Sequence, residues 1–505
     1  MVVMKQDAGE VVAVRLQSLV EDVPGSRQIG DPGAEVTGIA YDSRRVKPGD
    51  LFVAIRGRVH DGHDFIGPAR QAGASAVMVE DEVRAGAGPG IVVPDSRHAL
   101  GIVSSRFFGY PSQSLKVMGV TGTNGKTTTT YLLRSILRAA GRQVGLIGTV
   151  AHFLGDQSVP AERTTPESYD LQALFAQMKE RGLTHVVMEV SSIALELWRL
   201  AGTDMDVGVF TNLTQDHLDF HVSLEAYRDA KARLFASIEP RAGRFAVVNA
   251  DDPASRHMAE HSRVHVWTYS YEDPMSDVCA ERVELLPGGS RFLLTGPSGR
   301  APVRLHLAGR FNVENALAAA TAALGEGVDV ETIARGLGAV QGVPGRLQSV
   351  NEGQPFGVIV DYAHTPDGLE RVLEATREFT RGRVLLVFGC GGDRDRQKRP
   401  LMGRVAARLA DRIFLTSDNP RSEDPQTILD EVAAGIRAEG VRPQLVEIDR
   451  RVAIRSALQE ARAGDTVLIA GKGHETYQIL GDRVIPFSDA EVAADILREG
   501  GSSAC

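Results

Sequence analysis

Two kinds of cluster in this sequence could do chemistry. The first is TGTNGKTTTT, Thr121 to Thr130. There glycines can open backbone N–H groups to an anion, Lys126 can reach terminal phosphates, and the Thr127 hydroxyl can ligate magnesium. The second is a set of polar groups, each arriving as an apolar run ends: Glu189 in VVMEVSS, Asp361 and His364, Arg394, Asp418 to Arg421, and Lys472 to Glu475. A carboxylate at the end of an apolar strand, as at Glu189, is costly to bury unless an ion balances it, and magnesium would do so. The bland alternative is a carboxylate that caps the next helix.

The elements that must position these groups can be read around them. Val117–Val120 is a strand, and Leu132, Leu133, Ile136, Leu137 and Ala140 recur at helical spacing up to a capping Gly141. Strand, glycine loop, helix is the setting of a phosphate site. The loop departs from the common pattern, because Val120 stands where a glycine is usual. It holds ATP all the same, across Gly122, Thr123, Asn124, Gly125, Lys126, Thr127 and Thr128.

Further apolar runs, THVVMEV, DVGVFTN and RFAVVNADD, alternate with helical stretches and imply a parallel sheet covered on both faces. The patch from Val264 to Leu307 alternates more and suggests an antiparallel excursion. Upstream, GDLFVAI and GASAVMVE read as strands and SRHALGIVSSRFFG as a helix, with YPSQSLK as a linker. Downstream of a junction at GVPGRLQSV, four runs (FGVIVDYAHTP, RVLLVFGCGGDRD, RIFLTSDNPR, DTVLIAGKGHE) each end in a polar cluster. Ligands of open parallel sheets bind outside the carboxyl ends of the strands, so those clusters point to one site. The expected architecture is α/β in three domains. An N-terminal α/β module spans 1–113, a central P-loop ATPase-like parallel sheet 114–344, and a C-terminal Rossmann-like domain 345–505.

Composition narrows the function classes. A chain of 505 residues exceeds one hydrophobic core, and 43% hydrophobic with 24% charged residues is ordinary for a globular protein. A formal net charge of −9 argues against nucleic acid or a membrane surface as the main partner. The N-terminus has acids and no uninterrupted apolar core, so no signal peptide is expected, and no run of about eighteen apolar residues is present to span a bilayer. Three distant cysteines, Cys279, Cys390 and Cys505, suggest a reducing compartment. The expectation is a cytoplasmic monomer without nucleic-acid or membrane partners.

GVTGTNGKTTT closely resembles the ATP loop of the Mur ligases and their relatives the folylpolyglutamate synthetases, which share the shortened spacing. TTPES, MEVSS, FTNLTQDHLDFH, AKARLF, GRFNVENALAA, GVPGRLQ, DYAHTPD, GCGGDRD, DNPRSEDP and GKGHE follow in Mur order along nearly the whole chain. They match the branch that builds the UDP-muramoyl tripeptide. The resemblance implies ATP-dependent amide formation with Mg2+. A substrate carboxylate takes the γ-phosphoryl group of ATP, and an amine then displaces phosphate from the acyl phosphate.

The resemblance also implies roles for individual residues. His217 matches a family metal-site histidine; a zinc pair with His221 lacks a third ligand within reach by sequence. Lys231, alone a solvated helix lysine, matches a lysine that is carbamylated and supplies oxygens to a second magnesium. With Lys126 and Glu189, these form the expected catalytic set. Asn312 and Asn315 open a helix that one of them could cap, while the family uses them near the adenine. Arg346 and Asp361 match residues that close on ATP from the third segment. Ser43 and the stretch Arg58, Val59, His60 match the uridine nucleotide module, although Asp42-Ser43-Arg44 by itself is only a turn. Thr164, Thr165, Ser191 and Arg199 match contacts to the muramoyl dipeptide. Ile193 departs from the pattern, which has histidine there.

DNPR is the pattern of the branch that adds meso-diaminopimelate. That amine carries a second carboxylate which lysine lacks, and a guanidinium can hold it bidentately. An arginine left without that partner rejects lysine more strongly than size would. Arg394 and Arg421 are the expected carboxylate binders, with Asp418, Asn419, Pro420, Gly471 and Glu475 around them; GGDRDRQKR could equally be a solvated charge run. The rivals are a lysine-adding ligase, a folylpolyglutamate-type ligase, which lacks the uridine module and DNPR, and a non-catalytic ATP-binding paralogue.

Overall fold

The computed structural model describes residues 13–31, 33–57, 60–286 and 288–501. By internal contacts the chain divides into two units, Met1–Asp277 with Ala318–Val328, and Val278–Leu317 with Asp329–Cys505. Among the described residues no helix is long and apolar enough to cross a membrane.

Besides a short antiparallel pair, Val14–Arg15 with Glu35–Val36, the first unit holds strands of two larger sheets. The smaller runs Arg27–Ile29, Gly90–Val92, Ala76–Val79, Asp50–Val53, Gly38–Ala40, parallel except at its first pair. In the larger, Lys116–Thr121 lies between His185–Glu189 and Val207–Phe210, parallel to both. These strands are buried on both faces, which is why they read as unbroken apolar runs without alternation. Register sets Glu189 opposite Val120, so its carboxylate arrives beside the loop that follows. That loop opens the helix Lys126–Ala139, whose Leu132, Leu133, Ile136 and Leu137 are buried, with Gly141 at φ 77° just beyond it. YPSQSLK is more ordered than a linker: Pro111–Ser114 forms a 3-10 turn with buried Pro111 and Ser112.

The patch from Val264 to Leu307 divides. His265–Ser270 pairs in parallel with Phe245–Asn249, whereas Val278–Leu286, Gly289–Gly296 and Gly299–Leu305 form an antiparallel meander in the second unit. His265–Ser270 is exposed at its start and buried only at its end, so it lacks the unbroken apolar run of the fully buried parallel strands.

The sheet of the second unit runs Gln348–Ser349, Gly357–Asp361, Thr466–Ala470, Val384–Phe388, Arg412–Thr416, Leu445–Glu447, parallel except at its first pair. The four strands that carry polar clusters are therefore adjacent and point the same way. A buried arginine ties two of their ends together. The Arg450 guanidinium grips Asp489 bidentately at 2.7 and 2.7 Å and donates to the carbonyls of Ser417 and Ala470, directly before Asp418 and Gly471. Both members of this pair are fully buried, so each compensates a charge that would otherwise be costly.

Candidate active site

In the first unit the phosphate loop is held by its neighbours on the sheet. Gly122 lies so close to the next strand that a Cβ would sit 1.9 Å from Thr211 Oγ1, at φ 152°, so no other residue fits. Thr123 N donates to Asn212 O at 2.8 Å, Asn124 N to Asn212 Oδ1 at 2.9 Å, and Thr211 Oγ1 to Asn124 O at 2.6 Å. The Lys126 ammonium folds back onto the carbonyls of Gly122 and Thr123 at 2.9 and 2.8 Å, which are contacts a phosphate can replace.

Glu189 joins this loop to the predicted dipeptide contacts. Its buried carboxylate accepts from Thr127 Oγ1 at 2.9 Å, from Thr149 N at 2.8 Å and from Thr149 Oγ1 at 3.1 Å. Thr149 Oγ1 in turn meets Thr164 Oγ1 at 2.9 Å. Thr165 Oγ1 donates to Glu189 O at 2.9 Å and accepts from Ser191 N, while Arg199 donates to Thr165 O and Glu167. Thr164, Thr165, Ser191 and Arg199 thus stand together beside the carboxylate that touches Thr127. The capping alternative for Glu189 does not hold, because Ser191 caps the next helix through Ala194 N. Thr149 was not singled out from sequence, although it lies two residues past the carboxyl end of the strand Val144–Ile147.

Lys231 sits on the inward face of Leu224–Ala236 among Tyr227, Ala230, Leu234 and Phe235, a position where the helix calls for an apolar side chain. It is buried, its Nζ donates to Gly122 O at 2.9 Å, and it lies 4.2 Å above the Tyr227 ring. Burial, then the charge of Lys126, holds its ammonium well below the ordinary lysine range. The solvated-lysine alternative is thereby excluded.

Hard oxygen donors and a buried carboxylate that pairs with no cationic side chain among the described residues suit magnesium. Thr127 and Glu189 supply them, but no group of three or more metal-ligating His, Cys, Asp or Glu forms among the described residues, so phosphate oxygens would have to complete the shell. His217 is exposed, near Asp216 at 3.7 Å, with its ring 6.0 Å from Tyr227. His221 is buried against Ser192 Oγ at 2.9 Å. His217 and Val222 both adopt left-handed φ, 53° and 67°, on either side of the short helix Leu218–His221. Val222 is β-branched and 88% exposed, so its strain is offset by no packing. Val222→Gly is expected to raise stability by about 0.5–1 kcal/mol, read as a higher urea midpoint at unchanged slope.

Of the uridine-module residues, Ser43 begins a 3-10 turn capped by Asp42, and His60 is exposed with its ring 6.3 Å from Phe65. Arg58 and Val59 lie outside the described residues.

In the second unit, neither Asn312 nor Asn315 caps its helix. The helix starts at Arg310; Asn312 Nδ2 donates to Ala308 O at 2.8 Å and Asn315 Nδ2 to Asn312 Oδ1 at 3.3 Å, both buried. Asp361 is committed to the backbone, accepting Leu347 N and Ala363 N at 2.8 Å each, and burial raises its carboxyl above the usual range. The Arg346 guanidinium lies 5.2 Å from the centre of the Tyr362 ring.

Most of the residues expected around the amine come together. Asp418 and Asn419 follow the strand Arg412–Thr416, and the glycine loop after Val384–Phe388 packs against them; a Cβ on Gly392 would meet Pro420 O at 1.8 Å. Gly392 N donates to Asn419 O at 2.9 Å, and Arg421 Nη1 to Gly392 O at 2.7 Å. Arg421, at φ 53°, is held by Arg421 N to Ile479 O at 3.2 Å and Gly481 N to Arg421 O at 2.8 Å. Arg394 is exposed and its guanidinium donates to Asp393 O at 3.2 Å, while its Cγ stands 3.8 Å from the Cβ position of Gly391, which Arg421 Nη1 approaches to 2.9 Å. The Asp418 carboxylate accepts no hydrogen bond among the described residues and lies 2.8 Å from the Cβ position of Gly471. Asn419 Nδ2 donates to Glu475 Oε2 at 2.8 Å. Lys472 and Arg450 also belong to this assembly. Lys472 begins a polar cluster that the sequence placed at the site without giving the lysine a role, and Arg450 lies far from any motif.

The family models match this arrangement: "Mur ligase family, catalytic domain" over 35–108, "Mur ligase middle domain" over 120–323, and "Mur ligase, glutamate ligase domain" over 345–473. A UDP-N-acetylmuramoyl-L-alanyl-D-glutamate--2,6-diaminopimelate ligase of Geobacillus thermodenitrificans (strain NG80-2) is 48% identical over 490 residues, covering 96% of this chain and all of the relative. The chain belongs to the Mur ligase family. A relative of the same name from Gloeobacter violaceus (strain ATCC 29082 / PCC 7421) is 50% identical, covering 92% of this Mur ligase and 94% of the relative. A solved structure bearing that ligase name superposes with a TM-score of 0.70 at 33% identity, over 97% of this chain and 100% of the other. Like its family, this Mur ligase is an ATP-dependent ligase.

Proposed function

We propose that this Mur ligase adds meso-2,6-diaminopimelate to the D-glutamate γ-carboxylate of UDP-N-acetylmuramoyl-L-alanyl-D-glutamate, in the synthesis of peptidoglycan precursor. The observation that carries this reading is the chain Thr127–Glu189–Thr149–Thr164. It sets the phosphate loop and the threonines assigned to the acid substrate within one hydrogen-bonded run. The full-length likeness to ligases of that name supports it.

In the proposed mechanism, Gly122 to Thr128 hold the triphosphate and Lys126 turns from its own carbonyls to the terminal phosphates. Thr164, Thr165, Ser191 and Arg199 hold the acid so that its γ-carboxylate oxygen meets the γ-phosphorus. The P–O bond to ADP breaks as the new O–P bond forms. The amine nitrogen then attacks the acyl carbon, phosphate leaves with its electron pair, and the ammonium proton is lost to solvent. Mg2+, held by Thr127, Glu189 and the carbamate of Lys231, with His217 near it, would neutralise charge on the phosphates. Asn312, Asn315, Arg346 and Asp361 are assigned to ATP, and Ser43 with Arg58 to His60 to the uridine nucleotide. Arg421 and Arg394 take the distal carboxylate of the amine, and Asp418 its ammonium.

Phosphate release tests this reading. It is expected only when ATP, the UDP-muramoyl dipeptide and meso-diaminopimelate are present together. Equal turnover with L-lysine would overturn the amine assignment, and no turnover with either amine would favour an ATP-binding paralogue without catalysis.

A further inference from the structure

The hydroxyls beside Glu189 form a chain whose proton direction is fixed at one end. A carboxylate offers lone pairs only, so Thr149 Oγ1, 3.1 Å from Glu189 Oε2, directs its single proton there. Thr149 Oγ1 also lies 2.9 Å from Thr164 Oγ1, and with its own proton committed it can only accept in that contact. Thr164 is therefore the donor. The reverse sense would set Thr149 lone pairs against a buried negative oxygen, a larger loss than one neutral hydrogen bond returns.

With that proton used, the half-buried Thr164 hydroxyl has only lone pairs left for a substrate. Thr165 is closed in both senses, donating to Glu189 O and accepting Ser191 N. Ser191 is set the opposite way to Thr164. Its Oγ accepts Ala194 N at 3.2 Å and donates to nothing among the described residues, so its proton is open.

We propose that Thr149 is a positioning residue that makes Thr164 a hydrogen-bond acceptor toward the acid substrate. Thr164 then takes a peptide N–H of the UDP-muramoyl dipeptide, and Ser191 takes a carbonyl or carboxylate oxygen. This rests on the reading of the site given above. Two N–H groups qualify, that of the L-alanine and that of the D-glutamate. The carboxylates do not, because their oxygens would face the lone pairs of Thr164. The hydroxyl chain thus sorts the substrate, drawing peptide backbone to Thr164 and turning both carboxylates of the D-glutamate away from it.

Calorimetric titration of the full-length enzyme, without ATP or Mg2+, tests this. The ligands are the UDP-muramoyl dipeptide and two analogues, with L-lactate in place of L-alanine or D-2-hydroxyglutarate in place of D-glutamate. Each analogue exchanges one N–H for an ester oxygen. At least one is expected to bind wild type about thirtyfold more weakly than the dipeptide, and which one it is names the N–H. In Thr149→Val the Thr164 proton is released and can turn to the ester oxygen, so the penalty should fall to about threefold. Thr164→Val should lower it equally, and Thr149→Ser should keep it. Each penalty is a ratio within one variant, so a general loss of affinity cancels. No penalty with either analogue in wild type, or a penalty that survives either valine variant, would overturn the proposal. Failure of wild type to bind the dipeptide itself would overturn the functional reading, and this proposal with it.

Discussion

Lys231→Met is expected to be folded, more stable than wild type, and slower by about a thousandfold or more in ATP-dependent phosphate release. The two effects share one cause. Lys231 occupies a core position on its helix with one backbone carbonyl and one aromatic ring for company, and Lys126 repels it. An ammonium there is expensive, so the native state holds this proton less tightly than the unfolded chain does. A neutral amine can attack carbon dioxide. In the proposed carbamylation the N–C bond would form as a proton leaves to solvent, and the carbamate would supply two oxygens.

Methionine has similar volume and no charge, so the variant should gain about 1–3 kcal/mol in carbonate-free buffer. The sign follows from linkage. Between the lowered native pKa and the ordinary value of about 10.4, the unfolded state holds the extra proton. Wild-type stability therefore rises with pH across that window, and the advantage of methionine shrinks as pH rises through it. Urea unfolding at several pH values and phosphate release, with and without bicarbonate, check both halves. A destabilised variant would remove the argument that the lysine is a buried burden, and undiminished turnover would remove its role.

Arg421→Ala should raise KM for meso-diaminopimelate about a hundredfold and leave KM for ATP within about twofold. Among the described residues the guanidinium has one acceptor, Gly392 O, and its remaining donors can take a carboxylate bidentately. Arg421→Lys is the informative companion. Lysine keeps the charge but not the fork, so a loss of about tenfold is expected. Both variants place an ordinary L-residue at φ 53°, held by the same two backbone bonds to Ile479 and Gly481, so backbone strain is matched between them. A parallel rise in KM for ATP would mean that the residue supports the fold.

What the sequence by itself determined is local or periodic. The strand before Gly122, the loop, the helix to Ala139 and the carboxyl-end placement of Glu189, Asp361, Asp418 and Gly471 follow from apolar runs and from backbone that only glycine permits. Such signals need no knowledge of what lies across the fold.

The tertiary structure decided which of these groups touch. Thr149 lies 40 residues from the Glu189 carboxylate that it contacts, and Lys472 lies 53 from Asn419. No period or motif encodes those separations, because a side chain's partner across a sheet is set by strand order and register. The same reason left alternatives open in the sequence: Asn312 could have capped a helix that in fact begins at Arg310, and Lys231 by itself could have been solvated had its helix not turned that face inward. Arg450 is silent in sequence yet ties the carbonyls before Asp418 and Gly471, because only closure of the sheet brings those two strand ends within reach of one guanidinium.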